Sequence, residues 1–293
     1  MASLREFRKK IKTVKSTQQI TKAMKMVAAA RLKSAQSRIL QARPFAVKMR
    51  DMLTDLAGRV VTGDAADLNL FPHPLFARHA TNKVGLLLVT ADKGLCGSFN
   101  TNLIKKAGEF IATNKDKEIH FFIVGRKGRD FLKRLGFELR GEYVQIFGNL
   151  SYKHAEIIGE DIMAAFQKDE LAEVTVIYNQ FKSVLQQNLT AEKLLPVERP
   201  AKILSDAQTD FIYEPRREDL LAALLPRYVK SQIFRVLMES YAAELGARMS
   251  AMDSASKNAK ELIEALTLRL NRSRQAIITR EIAELVGGAE ALS

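Results

Sequence analysis

The most chemically suggestive stretch of the chain is one turn, DKGLCGSFN, from Asp92 to Asn100. It follows a hydrophobic run, and glycines in such a place let the backbone approach a phosphate closely. The pattern is not G-x-G-x-x-G and no Gly-Lys-Ser/Thr follows, so a tight structural turn is the better reading. Cys96, the one cysteine, lies in the same turn with no His or second Cys beside it in sequence to activate a thiolate. The four histidines, His73, His79, His120 and His154, have no metal-ligand spacing, and neither H-E-x-x-H nor C-x-x-C occurs. Glu281 and Glu284 share a helix face, an arrangement more often solvated than catalytic. The sequence therefore offers no catalytic, cofactor-binding or metal-binding residue, and function has to be sought in shape and charge.

The charge is unevenly placed. Of the net +13, residues 1–59 supply nearly all: fifteen Lys or Arg against Glu6, Asp51 and Asp55. A field concentrated on one segment points to an acidic partner for that segment. Trp is absent and aromatics make up 7% of the chain, which suits extended helical packing. No run of eighteen apolar residues is present, and no signal-peptide pattern opens the chain. A single cysteine cannot form an internal disulfide and fits a reducing compartment.

The elements that must carry these charges are two long helices. From Arg227 to Val286 there is no proline and Gly246 is the only glycine, which predicts a rod of roughly 90 Å at about 1.5 Å per residue. A helix of that length needs a partner, and the only other stretch long enough is Ser3 to Leu56. There a 3,4 spacing from Leu4 gives Phe7, Ile11, Val14, Gln18, Thr21, Lys25, Ala28, Leu32, Ala35 and Ile39, continuing to Met49, Leu53 and Leu56. This is a heptad seam, polar only at Gln18, Thr21 and Lys25. Ile20, Met24 and Val27 supply apolar groups on the neighbouring face there, so the seam is expected to drift and that segment to face something beyond its partner helix. Pro44 predicts a kink, and Gly58 and Gly63 are expected to end the helix. In the C-terminal helix the small residues Ala242, Ala243, Gly246, Ala247, Ser250 and Ala251 would let a second helix approach closely, and the far end turns apolar.

Between the two lies a different texture. Residues 58–82 read as a connector with Pro72 and Pro74. Strands are expected over Val84–Ala91, Ile119–Gly125 and Val174–Asn179, with a further one over Gln186–Pro196. Helices are expected over Thr101–Asn114, Arg126–Leu135 and Tyr152–Gln167. Such alternation predicts a largely parallel sheet covered on both faces. A short helix from Pro215, kinked or restarted at Pro226, leads into the long one. The expected fold is α/β plus a long antiparallel coiled coil, with residues 1–58 as the N-terminal helix, 83–200 as a Rossmann-like domain and 211–293 as the C-terminal helix.

The basic helix could bind nucleic acid, lie on an anionic membrane, or face an acidic protein. Its Lys and Arg wrap a seam of Leu, Ile and Ala and are not interleaved with stacking aromatics, which disfavours nucleic acid. A transit peptide is shorter and lacks a matching helix elsewhere in the chain.

Two stretches decide between these. IKTVKSTQQITKAMKMVAAARLKSAQ, Ile11 to Gln36, closely resembles the opening of the gamma-subunit family of F-type ATP synthases. ITREIAELVGGAEA, Ile278 to Ala291, is similar to the same family's C-terminal signature, and DKGLCGSFN also looks like the family at that point. The regulatory dithiol insert of chloroplast members is absent. The resemblance implies a rotor shaft that binds no nucleotide, performs no covalent step and carries no cofactor. It implies one copy per complex, standing in the ring of alpha and beta subunits with its globular end on the epsilon subunit and the membrane c-ring. It implies a peripheral protein on the cytoplasmic side of a bacterial inner membrane. By the same resemblance Lys22, Met24, Lys25, Arg31 and Lys33 face the catalytic subunits. It implies that Arg274 and Gln275 make polar contacts to a beta subunit. It implies that Ile277, Ile278, Ile282 and Leu285 lie in an apolar bearing near the tip, with Thr279, Glu281, Glu284, Gly287 and Gly288 of the signature as further partner contacts.

Overall fold

In the computed structural model the described residues are 4–62, 73–77, 79–168, 171–184, 186–198 and 217–290. Helix α1 spans Leu4–Thr62. Then come strand β1 (Lys83–Val89), α2 (Phe99–Thr113), β2 (Glu118–Val124), α3 (Arg126–Arg134), β3 (Leu139–Tyr143), α4 (Tyr152–Lys168), β4 (Glu173–Phe181), β5 (Gln187–Leu195) and α5 (Arg217–Glu290). The chain divides into two compact units: Met1–Ala29 with Arg248–Ser293, and Ala30–Ala247.

The larger unit is built on one five-stranded sheet in the order β3-β2-β1-β4-β5. The first four strands are parallel and β5 returns antiparallel to β4. Strand alternation sorts the core into two layers. Leu87, Val89, Phe122, Val124, Val176 and Tyr178 point to the face covered by α4, the 217–238 stretch of α5, and Met49 and Leu53 of α1. Leu86, Leu88, Phe121, Ile123 and Ile177 point to the other face, under Leu103 and Ala107 of α2 and Leu132 of α3. Burial on both faces is why these strands read as continuous apolar runs. Strand β3, LRGEY, escapes the sequence pattern because it is a charged edge strand whose one buried residue is Gly141.

Both long helices outrun their expected limits. α1 passes through Pro44 and Gly58, while Gly63 lies outside the described residues. α5 begins at Arg217 and runs through Pro226 without restarting, and the expected start at Pro215 lies outside the described residues. A proline costs a helix one hydrogen bond. Here the loss is offset by burial on either side of it, with Leu221, Leu225 and Val229 at 1% exposure or less.

In the smaller unit α1 and α5 run antiparallel: the Gln18 side chain donates to the Ser256 carbonyl at 3.5 Å, and Lys25 reaches Asp253 at 2.5 Å. On α1 the positions Leu4, Phe7, Ile11, Val14, Gln18, Thr21, Lys25 and Ala28 are all buried or half-buried, whereas nearly every residue between them is exposed. The seam therefore does not leave its partner at Gln18–Lys25. Its polar residues stay on it and bond across or along it: the Thr21 hydroxyl donates to the Gln18 carbonyl at 3.0 Å. Ile20 and Val27 do form a second apolar face, 57% and 53% exposed. α5 answers with its own 3,4 series, Met252, Ser256, Ala259, Ile263, Leu266, Leu270 and Ser273. No described helix is long and apolar enough to cross a membrane.

Candidate functional site

The turn after β1 is filled by its own groups. Thr90 closes β1 by donating its hydroxyl to the Val124 carbonyl at 2.9 Å and accepting from the Gly128 amide at 2.8 Å. Beside it Gly125 has φ +88°, and a Cβ there would lie 2.2 Å from the Thr90 carbonyl oxygen, so only glycine fits. The Asp92 carboxylate accepts from the backbone amide of Arg126, in the first turn of α3, at 3.2 Å, and from that of Gln145 at 3.0 Å. An anion offered to the start of α3 would meet a carboxylate already there. Asn100 holds the rest of the loop, accepting from the Ala91 amide at 3.0 Å and donating to Cys96 Sγ at 3.2 Å. Cys96 is 1% exposed and reads as a packing residue. The turn is thus a knot that joins β1, α2 and α3. Lys93, Leu95 and Ser98 face outward from it, Leu95 being 64% exposed at φ +64°.

Among the described residues no group of three or more His, Cys, Asp or Glu could hold a metal ion. What the chain presents instead is surface on its long helices. Lys22 is exposed, Met24 is half-buried, and both lie on α1 beside the seam. Lys25 is engaged inside the chain. Its ammonium and that of Lys257, at 3.1 Å, both meet Asp253, and these hydrogen bonds, Lys25 first, hold the Asp253 carboxyl below its ordinary range. Lys25 is thus a bridge between the two helices, and it can meet an outside partner only by sharing or releasing Asp253. Arg31 and Lys33 are exposed on the stretch of α1 that belongs to the larger unit.

On α5 every residue from Arg274 to Gly287 is exposed, while Leu270 and Ser273 are the last to be half-buried. The described part of α1 starts at Leu4, and the antiparallel register leaves the end of α5 with no facing turn there. Arg274, Gln275, Thr279, Glu281 and Glu284 are therefore in solvent, as are Ile277 at 41%, Ile278 at 46%, Ile282 at 56% and Leu285 at 74%. A Cβ at Gly287 would meet nothing within 4 Å, and Gly288 follows in the same helix. Four large apolar side chains, Ile277, Ile278, Ile282 and Leu285, are thus exposed on one helix end.

Sequence reasoning missed the polar cluster that fastens α5 to the sheet. Arg235 donates to the Tyr178 hydroxyl at 2.9 Å on β4, to Glu192 on β5, to Gln232 at 2.9 Å and to Glu239 at 3.5 Å. Burial first, and the neighbouring carboxylates after it, push the Tyr178 hydroxyl up to about 12. Burial also raises Glu239 above the usual carboxyl value, against the pull of Arg235. No short motif could have disclosed this cluster, since its members are drawn from three elements. Two of them, Glu192 and Arg235, are more than forty positions apart in sequence.

The family model described as ATP synthase matches residues 3–292. A protein named ATP synthase gamma chain from Desulfitobacterium hafniense is 46% identical over 292 residues, covering all of both chains. One of the same name from Anaeromyxobacter sp. is 45% identical over 294 residues, again covering both chains fully. Among solved structures, a chain of the Tetrahymena thermophila mitochondrial ATP synthase central stalk and c-ring is similar at 29% identity and TM-score 0.61, over 81% of this chain and 99% of that one. A chain of the Euglena gracilis mitochondrial ATP synthase, in a structure of OSCP, F1 and c-ring, shares the fold at 18% identity and TM-score 0.67, over 99% of this chain and 94% of that one.

Proposed function

The chain belongs to the ATP synthase gamma-chain family, and from that premise we propose that it is the central rotor shaft coupling proton-driven rotation of a c-ring to ATP synthesis at the beta subunits. The observation that carries this reading is the pairing of the two chain ends, α1 with α5, together with full-length similarity to proteins of that name. In this reading residues 1–58 and 211–293 are the shaft and 83–200 the foot. The chain itself performs no covalent step, and the self-filled turn at Asp92–Asn100 supports that part of the reading. Its partners are the alpha and beta subunits around the shaft, with the epsilon subunit and the c-ring at the foot. It sits peripherally on the cytoplasmic face of a bacterial inner membrane.

The mechanism follows from asymmetry. Three chemically identical beta sites can differ at one instant only if the shaft turns a different face to each. α1 has two unlike faces for this purpose, the seam that holds α5 and the exposed set of Ile20, Lys22, Met26 and Val27. Contacts to the stator must break at every step, so they have to be individually weak. Exposed ion pairs of Lys22, Arg31 and Lys33 with acidic side chains suit this, at about 0.2–1 kcal/mol each. Met24 suits it too, being unbranched and able to slide over several surfaces at small cost. Arg274 and Gln275 would add polar contacts, and Ile277, Ile278, Ile282 and Leu285, beside Thr279, Glu281, Glu284, Gly287 and Gly288, an apolar bearing.

Met24→Lys tests the assignment. A new ammonium in a partly dry contact would add a charged hydrogen bond of about 1.5–3 kcal/mol and hold one rotary state too tightly. The complex should assemble and hydrolyse ATP but pump fewer protons per ATP on the same membranes. Wild-type pumping per ATP in an intact complex would place Met24 away from any coupling contact. Co-purification of the wild-type chain with RNA or DNA in place of alpha and beta subunits would sink the rotor reading itself.

A further inference from the structure

The larger unit contains a cavity of about 200 Å³ whose lining shares only Arg31 with the rotor reading. One wall is α1, with Arg31, Ser34, Ala35 and Arg38; the opposite wall is Phe147 to Asn149 of the short 3-10 turn Ile146–Asn149, with Leu150; Met238 and Tyr241 of α5 close it. The Phe147 and Tyr241 rings stack with centroids 5.5 Å apart and planes 7° from parallel. They are held against the core, where Leu150 is 6% and Met238 3% exposed, so this part of the cavity is fixed. Arg31 and Arg38 are two helical turns apart, about 10.5 Å along the axis, with the Ser34 hydroxyl between them on the same face. Both arginines are exposed, and neither has a carboxylate partner among the described residues. By contrast Arg129, Lys133, Lys230 and Arg235 of the same unit are all ion-paired.

We propose that this cavity binds inorganic phosphate, clamped between the Arg31 and Arg38 guanidiniums with the Ser34 hydroxyl as a further donor. Charge, shape and size converge on that ligand. Two uncompensated guanidiniums match a dianion, whereas a single side-chain carboxylate would leave one of them unmatched. Planar guanidinium forks pair with tetrahedral oxyanions through parallel N–H donors, and such bonds are about twice as strong as neutral ones. The volume holds a phosphate and a few waters. It falls below the roughly 300–1,000 Å³ that drug-sized ligands occupy, which leaves a nucleotide's base and ribose without a pocket. Phosphate bound here would join α1, the turn after β3 and α5 within the larger unit. The cavity would then respond to the concentration of phosphate without any covalent step on the chain.

The test is isothermal titration of the purified full chain with sodium phosphate, against sodium chloride at matched ionic strength. Saturable one-to-one binding is expected. Arg31→Gln and Arg38→Gln should each weaken it about tenfold or more, and Ser34→Ala should weaken it less. The control is Lys9→Gln/Lys12→Gln, which removes the same two charges from exposed positions on α1 outside the cavity and should leave the affinity unchanged. Thermal melts of each variant without phosphate should overlay the parent, because these side chains are exposed. Non-saturable heats, or equal weakening by the Lys9/Lys12 pair, would reduce the effect to general attraction by a basic helix and overturn the proposal. The titration is then repeated on the assembled complex. There, protection of both arginines by a partner subunit, with no response to phosphate, would assign the cavity to a protein carboxylate and would also overturn it.

Discussion

Replacing Arg235 with methionine should weaken the larger unit by about 3 kcal/mol at neutral pH, and by distinctly less in mild acid. The side chain is 29% exposed, its partners Glu192 and Glu239 are 34% and 16% exposed, and Tyr178 is fully buried. Methionine keeps most of the packing, so the loss lies in the hydrogen bonds and in the carboxylates left behind. Removing one partner of a buried pair costs about 3–5 kcal/mol, a figure to be lowered here because a third of the guanidinium meets water. Glu239 offers a second bound. Left without its arginine in a desolvated place, it can take up a proton. From pH 7 to the ordinary 4.5 of a glutamate that costs at most about 3.4 kcal/mol, at 1.36 kcal/mol per unit.

The sign of the pH dependence follows from the raised pKa. A carboxyl raised in the fold holds its proton where the unfolded chain has released it. Its penalty on stability is therefore absent below about 4.5 and grows as pH rises through the folded value. Arg235→Met raises that value further, so the gap between variant and parent should narrow as pH falls from 7.5 toward 4.5. Urea unfolding followed by circular dichroism at several pH values measures it. A destabilisation below about 1 kcal/mol that is the same at both ends of that range would refute the account, since neither an orphaned carboxylate nor a lost charged bond behaves so. Arg235→Met/Glu239→Met should recover part of the loss, because a carboxyl that is gone no longer needs a partner.

Gly125→Ala should abolish soluble expression or cost about 3 kcal/mol or more, since the new methyl would lie 2.2 Å from the Thr90 carbonyl oxygen at a φ of +88°; thermal melts check it. Lys25→Gln should raise the Asp253 carboxyl toward its ordinary 3.8, read by carbon-detected NMR titration; because that pKa is depressed in the fold, the stabilisation from this ion pair is present above 3.8 and lost as pH falls through the depressed value. The isolated chain should bind ATP no better than millimolar in calorimetry, with Asp92 standing at the start of α3; micromolar binding abolished by Gly94→Val would return the Asp92–Asn100 turn to the nucleotide-binding class.

The seam from Leu4 to Ile39, the apolar strand runs and the two terminal signatures were legible in the amino-acid order, because each is local. Periods of 3.5 and 2 place side chains on faces whatever surrounds them. The same locality explains the misses. Strand β3 has no apolar alternation, and it exists because β2 offers an open edge to LRGEY. Pro226 looks like a break, but the helix continues because Leu221, Leu225 and Val229 are buried around it. Gln18, Thr21 and Lys25 look like a lapse in the seam because polarity alone does not tell a drifting helix from one bonded across. Asp253 and the Ser256 carbonyl, more than two hundred positions away, decide between the two. Among the site residues, sequence supplied Lys22, Met24, Arg31 and the apolar end of α5 as a list. Only tertiary structure engaged Lys25 with Asp253, filled the Asp92 turn with its own carboxylate, and brought Arg235 to Tyr178 and Glu192. Sequence thus determined which faces exist, since those follow from backbone geometry. Which polar group meets which was decided by folding, because a hydrogen bond depends on distances that no local pattern encodes.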